Sequence, residues 1–178
     1  RVTGNARKLE VIADSYDGYR FSNIECLEVG RNDLCFLTSP NSGSLYQCSL
    51  DSGQVSILND QYLQAADILL HPSENKLLVA EPSFNRVVFF DLDDSVKERS
   101  PQTLIDFSPR QIKPQGLAFD KRDFLYLSLG SLNQILVYDL NAGKEITTIN
   151  IAHFAGHLSI HKDYLYIGGG DFLSRLKI

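Results

Sequence analysis

The chain has 178 residues, of which 43% are hydrophobic and 22% charged, and a formal net charge of −5. These are ordinary values for one globular domain with a full core. The acidic balance argues against nucleic acid, whose phosphates call for a basic surface. No apolar run approaches the ~18 residues of a membrane span, so the chain reads as soluble, with no membrane-spanning segment.

Taken from the start, Arg1–Ala6 reads as a loose lead-in with no signal-peptide pattern. RKLEVIADS, Arg7 to Ser15, has the length and pattern of a strand. DGYRF, Asp17 to Phe21, leads into the first of four related stretches, IECLEVGRNDLCFLTSPNSGSLYQCSL. The others are ADILLHPSENKLLVAEPSFNRVVFFDL, QGLAFDKRDFLYLSLGSLNQILVYDL and GHLSIHKDYLYIGGGDFLSRLKI. Each begins with a short strand a, turns through GRND, PSENK, DKRD or HKD, and continues as strands b and c. QVSILND, QTLIDFS and EITTINI supply a strand d to the first three. The c strands end at Leu50, Leu92, Leu140 and Ile178, about 40 to 50 residues apart, the period of a four-stranded propeller blade.

The sequence therefore predicts an all-β, four-bladed β-propeller as one domain over 1–178. Its blades fall at about 16–60, 61–108, 109–152 and 153–178, and the last is completed by the N-terminal strand 7–15. That strand would supply the strand d the fourth repeat lacks and close the ring. The alternative is an open piece of a larger propeller. Cys26, Cys35 and Cys48 include no C-x-x-C, which argues against a zinc knuckle. They read as three small buried side chains, with Cys26 and Cys35 on adjacent strands where they could face each other. No G-x-S-x-G, Walker loop, H-E-x-x-H or dinucleotide fingerprint occurs, so serine-triad, nucleotide-hydrolysing and hydride-transfer chemistry have no support.

In a propeller, strand a lines the axis, and the loops entering it gather with the b–c loops on one face, the default ligand site. Aligning the repeats on Leu27, Ile68, Leu117 and Leu158 places Glu25, Ala66, Gln115 and Gly156 two residues earlier. Cys26, Asp67, Gly116 and His157 follow them. Glu25, Asp67, Gln115 and His157 are thus candidates to surround one axial cavity. His153, His157 and His161 are four apart, but the last two stand at opposite ends of a strand, roughly 13 Å from each other, and cannot share one ion. His157, with His153 beside it, is the candidate acid–base group near the axis.

The stretches DGYRFSNIECLEV, DLCFLTSP, GSLYQCSLDSGQVSIL and LLHPSENKLLVAEPSFNRVVFFDL resemble blades of strictosidine synthase-like proteins and the senescence-marker/gluconolactonase superfamily. The third blade is equally similar to a general NHL-type repeat. These relatives usually have six blades, against four here. The resemblance implies an axial small-molecule site, with calcium held by oxygens from several blades in the hydrolases. It would give Glu25 and Gln115 as the metal candidates, while Ala66 and Gly156 offer no side-chain ligand. It matches Glu81 and Arg86 to the Glu and Arg of the family's b–c segment, as ligand contacts or as an ion pair bracing the loop. Tyr19 would stand beside the site, and a secreted or endomembrane-lumen location is favoured. Two functions follow as expectations. One is small-molecule binding with lactone or ester hydrolysis, or metal-free condensation or cyclisation, using Glu25 or His157. The alternative is a non-catalytic propeller recognising protein or glycan. Face-to-face pairing of two copies around a shared pocket is a further possibility.

Overall fold

The computed structural model describes residues 9–39, 41–61, 65–73, 75–92 and 100–178. A two-stranded hairpin, β1 (Ser15–Tyr16) and β2 (Tyr19–Arg20), precedes four blades. Blade one is β3 (Leu27–Val29), β4 (Leu34–Ser39), β5 (Ser44–Ser49) and β6 (Val55–Asn59). Blade two is β7 (Asp67–Leu70), β8 (Lys76–Glu81), β9 (Arg86–Asp91) and β10 (Gln102–Asp106). Blade three is β11 (Leu117–Phe119), β12 (Phe124–Ser128), β13 (Gln134–Asp139) and β14 (Lys144–Asn150). Blade four has β15 (His157–His161), β16 (Tyr164–Gly169) and β17 (Phe172–Lys177). Within each blade, sequential strands pair antiparallel, so the expected four-bladed propeller arrangement is what forms.

The turns explain the regular spacing. Before each strand c the backbone passes through the left-handed region, at Gly43, Asn85, Asn133 and Gly170. Gly and Asn are the residues that accept this conformation at low cost. In blades two and three strand b has little polar alternation because both its faces are covered by neighbouring sheets. Leu77 and Val79 of β8 pack toward blade one with Phe36, Leu45 and Ile68. Leu78 and Ala80 of the same strand pack toward blade three with Leu117, Leu125 and Leu127. Ala118, Tyr126, Ile135 and Val137 meet Leu165 and Ile167 of blade four. Each fully buried Leu, Val or Phe in these layers contributes about 1.5–3 kcal/mol.

The fourth strand expected for blade four does not form among the described residues. Residues 9–14 carry no strand, and β17 pairs only with β16. The N-terminal segment lies on blade one instead. Ala13, Tyr16 and Phe21 pack over Cys35, Leu37, Tyr46 and Cys48, with the Tyr16 and Phe21 rings 5.5 and 5.3 Å from Tyr46. A side chain at Gly53 would meet the Ile12 carbonyl oxygen at 2.4 Å, so that glycine admits the segment. Tyr46 and its neighbours offer this segment an apolar, aromatic surface. The edge of β17 offers only backbone hydrogen bonds beside the exposed Leu173. Arg7 and Lys8 lie outside the described residues. The three cysteines are free and buried, but Cys35 stands opposite Cys48 rather than Cys26. Cys26 is on the other side of the sheet, in the layer shared with blade two.

Candidate functional site on the axial face

The repeat register is carried by one backbone bond in each blade. The N–H groups of Glu25, Ala66, Gln115 and Gly156 donate to the carbonyls of Thr38, Ala80, Ser128 and Gly168. These four residues are therefore structural equivalents at the top of strand a, as the repeats suggest. Beside them is an open cleft of about 520 Å³ lined by Glu25, Asn41, Ala65, Ala66, Pro82, Ser83, Lys113 and Gln115. Glu25 and Asn41 come from blade one, Ser83 from blade two, and Lys113 and Gln115 from blade three. Glu25 and Lys113 are exposed and Gln115 is half-buried. The cleft thus combines one carboxylate, one ammonium, two amides and a hydroxyl, an arrangement suited to a polar ligand with both donor and acceptor groups.

The next residue in each repeat turns to a different task. Asp67 Oδ2 accepts the Leu117 N–H at 2.8 Å, and its Oδ1 accepts the Ile68 N–H at 3.0 Å, so the side chain staples blade two to blade three. Glu28 does the same one interface earlier, accepting the Leu70 N–H at 3.2 Å. Both carboxylates line an axial channel of about 320 Å³ below the cleft, with Leu117, Leu158 and Ser159. Burial pushes Asp67 up to about 6, against the lowering by the Leu117 and Ile68 N–H bonds and the His157 charge; Glu28 adds to the rise. Burial likewise raises Glu28. At Gly116 the strands of blades three and four come so close that a Cβ would lie 2.7 Å from the Gly156 oxygen. Burial raises the Cys26 thiol to about 11, which leaves it protonated and inert.

The remaining candidates are dispersed. Glu81 is 1% exposed and accepts from Arg86 Nε at 2.7 Å; the guanidinium also lies over the Phe84 ring. The pair brackets the 3₁₀ turn Pro82–Phe84, whose Pro82 and Ser83 form one wall of the cleft. His153 Nε2 is 3.1 Å from Ser174 Oγ and stacks near Phe172. His157 begins β15, exposed, near enough to Asp67 to act on its charge. Tyr19 is 80% exposed in the hairpin outside blade one. Of the predicted residues, the cleft gathers Glu25 and Gln115. Asn41, Ser83 and Lys113 were not singled out from the sequence. Lys113 stands two residues before Gln115, on the same side of an extended chain, and Asn41 and Ser83 occupy corresponding b–c turns. The alternation and the turn alignment were the available signals.

Calcium takes six to eight oxygens, usually with several carboxylates. The cleft has one carboxylate, and an ammonium in its lining opposes a divalent cation. Among the described residues no group of three His, Cys, Asp or Glu is placed to hold a metal. The residues present do not fit the calcium cage that the resemblance implies.

Residues 5–159 match the family described as the SMP-30/gluconolactonase/LRE-like region. The chain belongs to this family. The match lies in the gluconolactonase branch of the resemblance rather than the strictosidine synthase branch. Among solved structures, this SMP-30/gluconolactonase-type propeller is similar to a putative gluconolactonase, at 17% identity and TM-score 0.79, over 94% of this chain and 62% of the other. It is similar to a luciferin-regenerating enzyme at 16% identity and TM-score 0.67, over 79% of this chain and 52% of the other. It also resembles a calcium-binding regucalcin from Agrobacterium tumefaciens, at 15% identity and TM-score 0.63, over 76% and 49%. The chain thus spans about half to three-fifths of the length of these structures, and at such identities they show the fold alone. Comparison with curated proteins gives no significant match. No helix among the described residues is long and apolar enough to cross a membrane.

Proposed function

We propose that the chain binds a small polar molecule in the cleft between Glu25 and Gln115, with Lys113 supplying cationic recognition. The observation that supports this is the convergence of Glu25, Asn41, Ser83, Lys113 and Gln115, from three blades, on one open cleft. Family membership points to a lactone or ester as the ligand class. In such a ligand, Glu25 would take a proton from the attacking water, and Lys113 would stand beside the carboxylate that ring opening releases. Gln115 would orient the ligand through its amide. The single carboxylate favours a second reading, recognition of protein or glycan without chemistry.

A panel of lactones and esters, assayed for turnover and for thermal stabilisation of the protein, separates the readings. Hydrolysis is expected, with Glu25→Gln lowering kcat by about 100-fold or more and Lys113→Met raising KM. Binding without turnover, lost in both variants, would leave the cleft as a recognition site. Turnover and binding unchanged in both variants would remove the cleft from the function.

A further inference from the structure

Two of the three cysteines face each other across one hairpin. β4 and β5 pair so that Cys35 is the direct partner of Cys48. In the same ladder the Leu50 N–H donates to the Asp33 carbonyl, two positions along, so Cys35 and Cys48 also form a hydrogen-bonded pair. At such a pair the Cα atoms lie about 5.5 Å apart, within the span that a disulfide bridges. The two side chains leave the sheet on the same face. Their Cβ atoms are about 4.5–5.5 Å apart, against about 3.5–4.5 Å in a disulfide, so closing the bond takes a movement of about 1 Å. Each thiol is turned to the carbonyl of the residue after it, at 3.7 Å for Cys35 and 3.5 Å for Cys48. A thiol is a weak donor, so rotation about χ1 toward the partner sulfur gives up little.

Cys26 is on the opposite face of the sheet, in the layer shared with blade two, where its thiol points to the Ala66 carbonyl at 3.4 Å. The facing pair is 3% exposed at each cysteine, and its cover is the N-terminal segment, through Ala13, Tyr16 and Phe21. Burial raises both thiols, and the Cys48 and Glu28 charges raise Cys35 further. The attacking species in exchange is the thiolate, so the covered pair reacts slowly.

We propose that Cys35 and Cys48 are a disulfide-forming pair, oxidised by a small-molecule disulfide such as oxidised glutathione, and that the N-terminal segment governs access to them. One cysteine thiolate attacks a sulfur of oxidised glutathione, whose S–S bond breaks and releases a glutathione thiolate. The other cysteine thiolate then attacks the protein sulfur of this mixed disulfide and releases the second glutathione. The two cysteines are oxidised, one oxidised glutathione is reduced to two glutathione thiols, and these take up the two protons the cysteines lose. The new bond ties together the strands whose connecting turn carries Asn41 into the cleft.

The reduced full chain, incubated with oxidised glutathione and followed by intact mass and peptide mapping, tests the pairing. The product is expected to be lighter than the parent by two hydrogens, with Cys35 linked to Cys48. Thiols counted after unfolding are expected to fall from three to one, the one being Cys26. No loss of hydrogens, a link that includes Cys26, or glutathione adducts that never resolve would each overturn the pairing. Brief alkylation of the reduced, folded chain tests the cover. Phe21→Ala is expected to speed labelling of Cys35 and Cys48 while Cys26 keeps the parent's rate, whereas global unfolding would expose all three. Labelling unchanged in the variant, or accelerated equally at all three cysteines, would overturn the part given to the segment.

Discussion

Blade two and blade four are built on the same register but live in different surroundings. Blade two has a neighbour on both faces, and Leu77, Val79, Val87, Val88 and Phe90 have no exposed surface. Among the described residues, blade four has a neighbour on one face. Leu165 and Ile167 are buried against blade three, while His157, Ser159 and Arg175 meet solvent. At the position where blade two uses Asp67 to staple the next blade, blade four has an exposed His157. The same strand geometry thus yields a core or a surface according to what is stacked on it, and stability should be distributed accordingly.

The largest expected difference is in packing. Phe90→Ala empties a fully buried site between blades one and two and is expected to cost about 3–5 kcal/mol in denaturant unfolding. Leu173→Ala in blade four is expected to cost less than about 0.5 kcal/mol, as surface substitutions do. Equal costs at the two sites would show that this face of blade four is buried in solution.

An intermediate effect is expected at the ion pair of blade two. Arg86→Met leaves the Glu81 carboxylate buried without its partner and should cost about 2 kcal/mol near neutral pH, below the 3–5 of a wholly buried pair because Arg86 is a third exposed. Burial already raises Glu81 and the Arg86 hydrogen bond and charge lower it, so removing the guanidinium raises it further. The loss should shrink as the solution is acidified and the carboxyl is neutralised. A cost independent of pH would mean that Arg86 contributes packing over Phe84 rather than charge.

The smallest effect is a titration. Asp67 is raised to about 6 from an unfolded value near 3.8, so between these values the folded state holds more protons than the unfolded state. Stability therefore falls as pH rises across that window. The slope between pH 4 and 6 is expected to be more negative in the parent than in Asp67→Asn. Carbon-detected NMR should place the Asp67 midpoint near 6. A midpoint near 4 would mean that the Leu117 and Ile68 N–H bonds outweigh burial.

Much of the candidate site was legible because it follows from register. Glu25 and Gln115 were found by counting from aligned leucines, and the same count is written in four equivalent backbone bonds. Asp67 was correctly aligned near the axis, but it stands one position after the Glu25 equivalent Ala66, and consecutive residues point to opposite sides, so the Glu25 position turns to the cleft while Asp67 turns to the next blade. Lys113 was passed over because it lies two residues ahead of the aligned position that Gln115 occupies, outside the part of the repeat that was superposed. Glu81 and Arg86 were read both as ligand groups and as a brace; in the fold Glu81 is buried and the pair brackets the turn that carries Pro82 and Ser83.

The sequence alone determined that this is an all-β chain of four blade repeats, where the turns fall, and which residues share the top of strand a. Those properties are local: side-chain alternation and left-handed turn residues act within a few positions of one another. Only the tertiary structure decided that the N-terminal segment covers blade one, that Cys35 stands opposite Cys48, and that Asp67 joins blades. Each is the outcome of competition between distant surfaces, and the pattern of a strand does not say which of two unpaired faces will bury it.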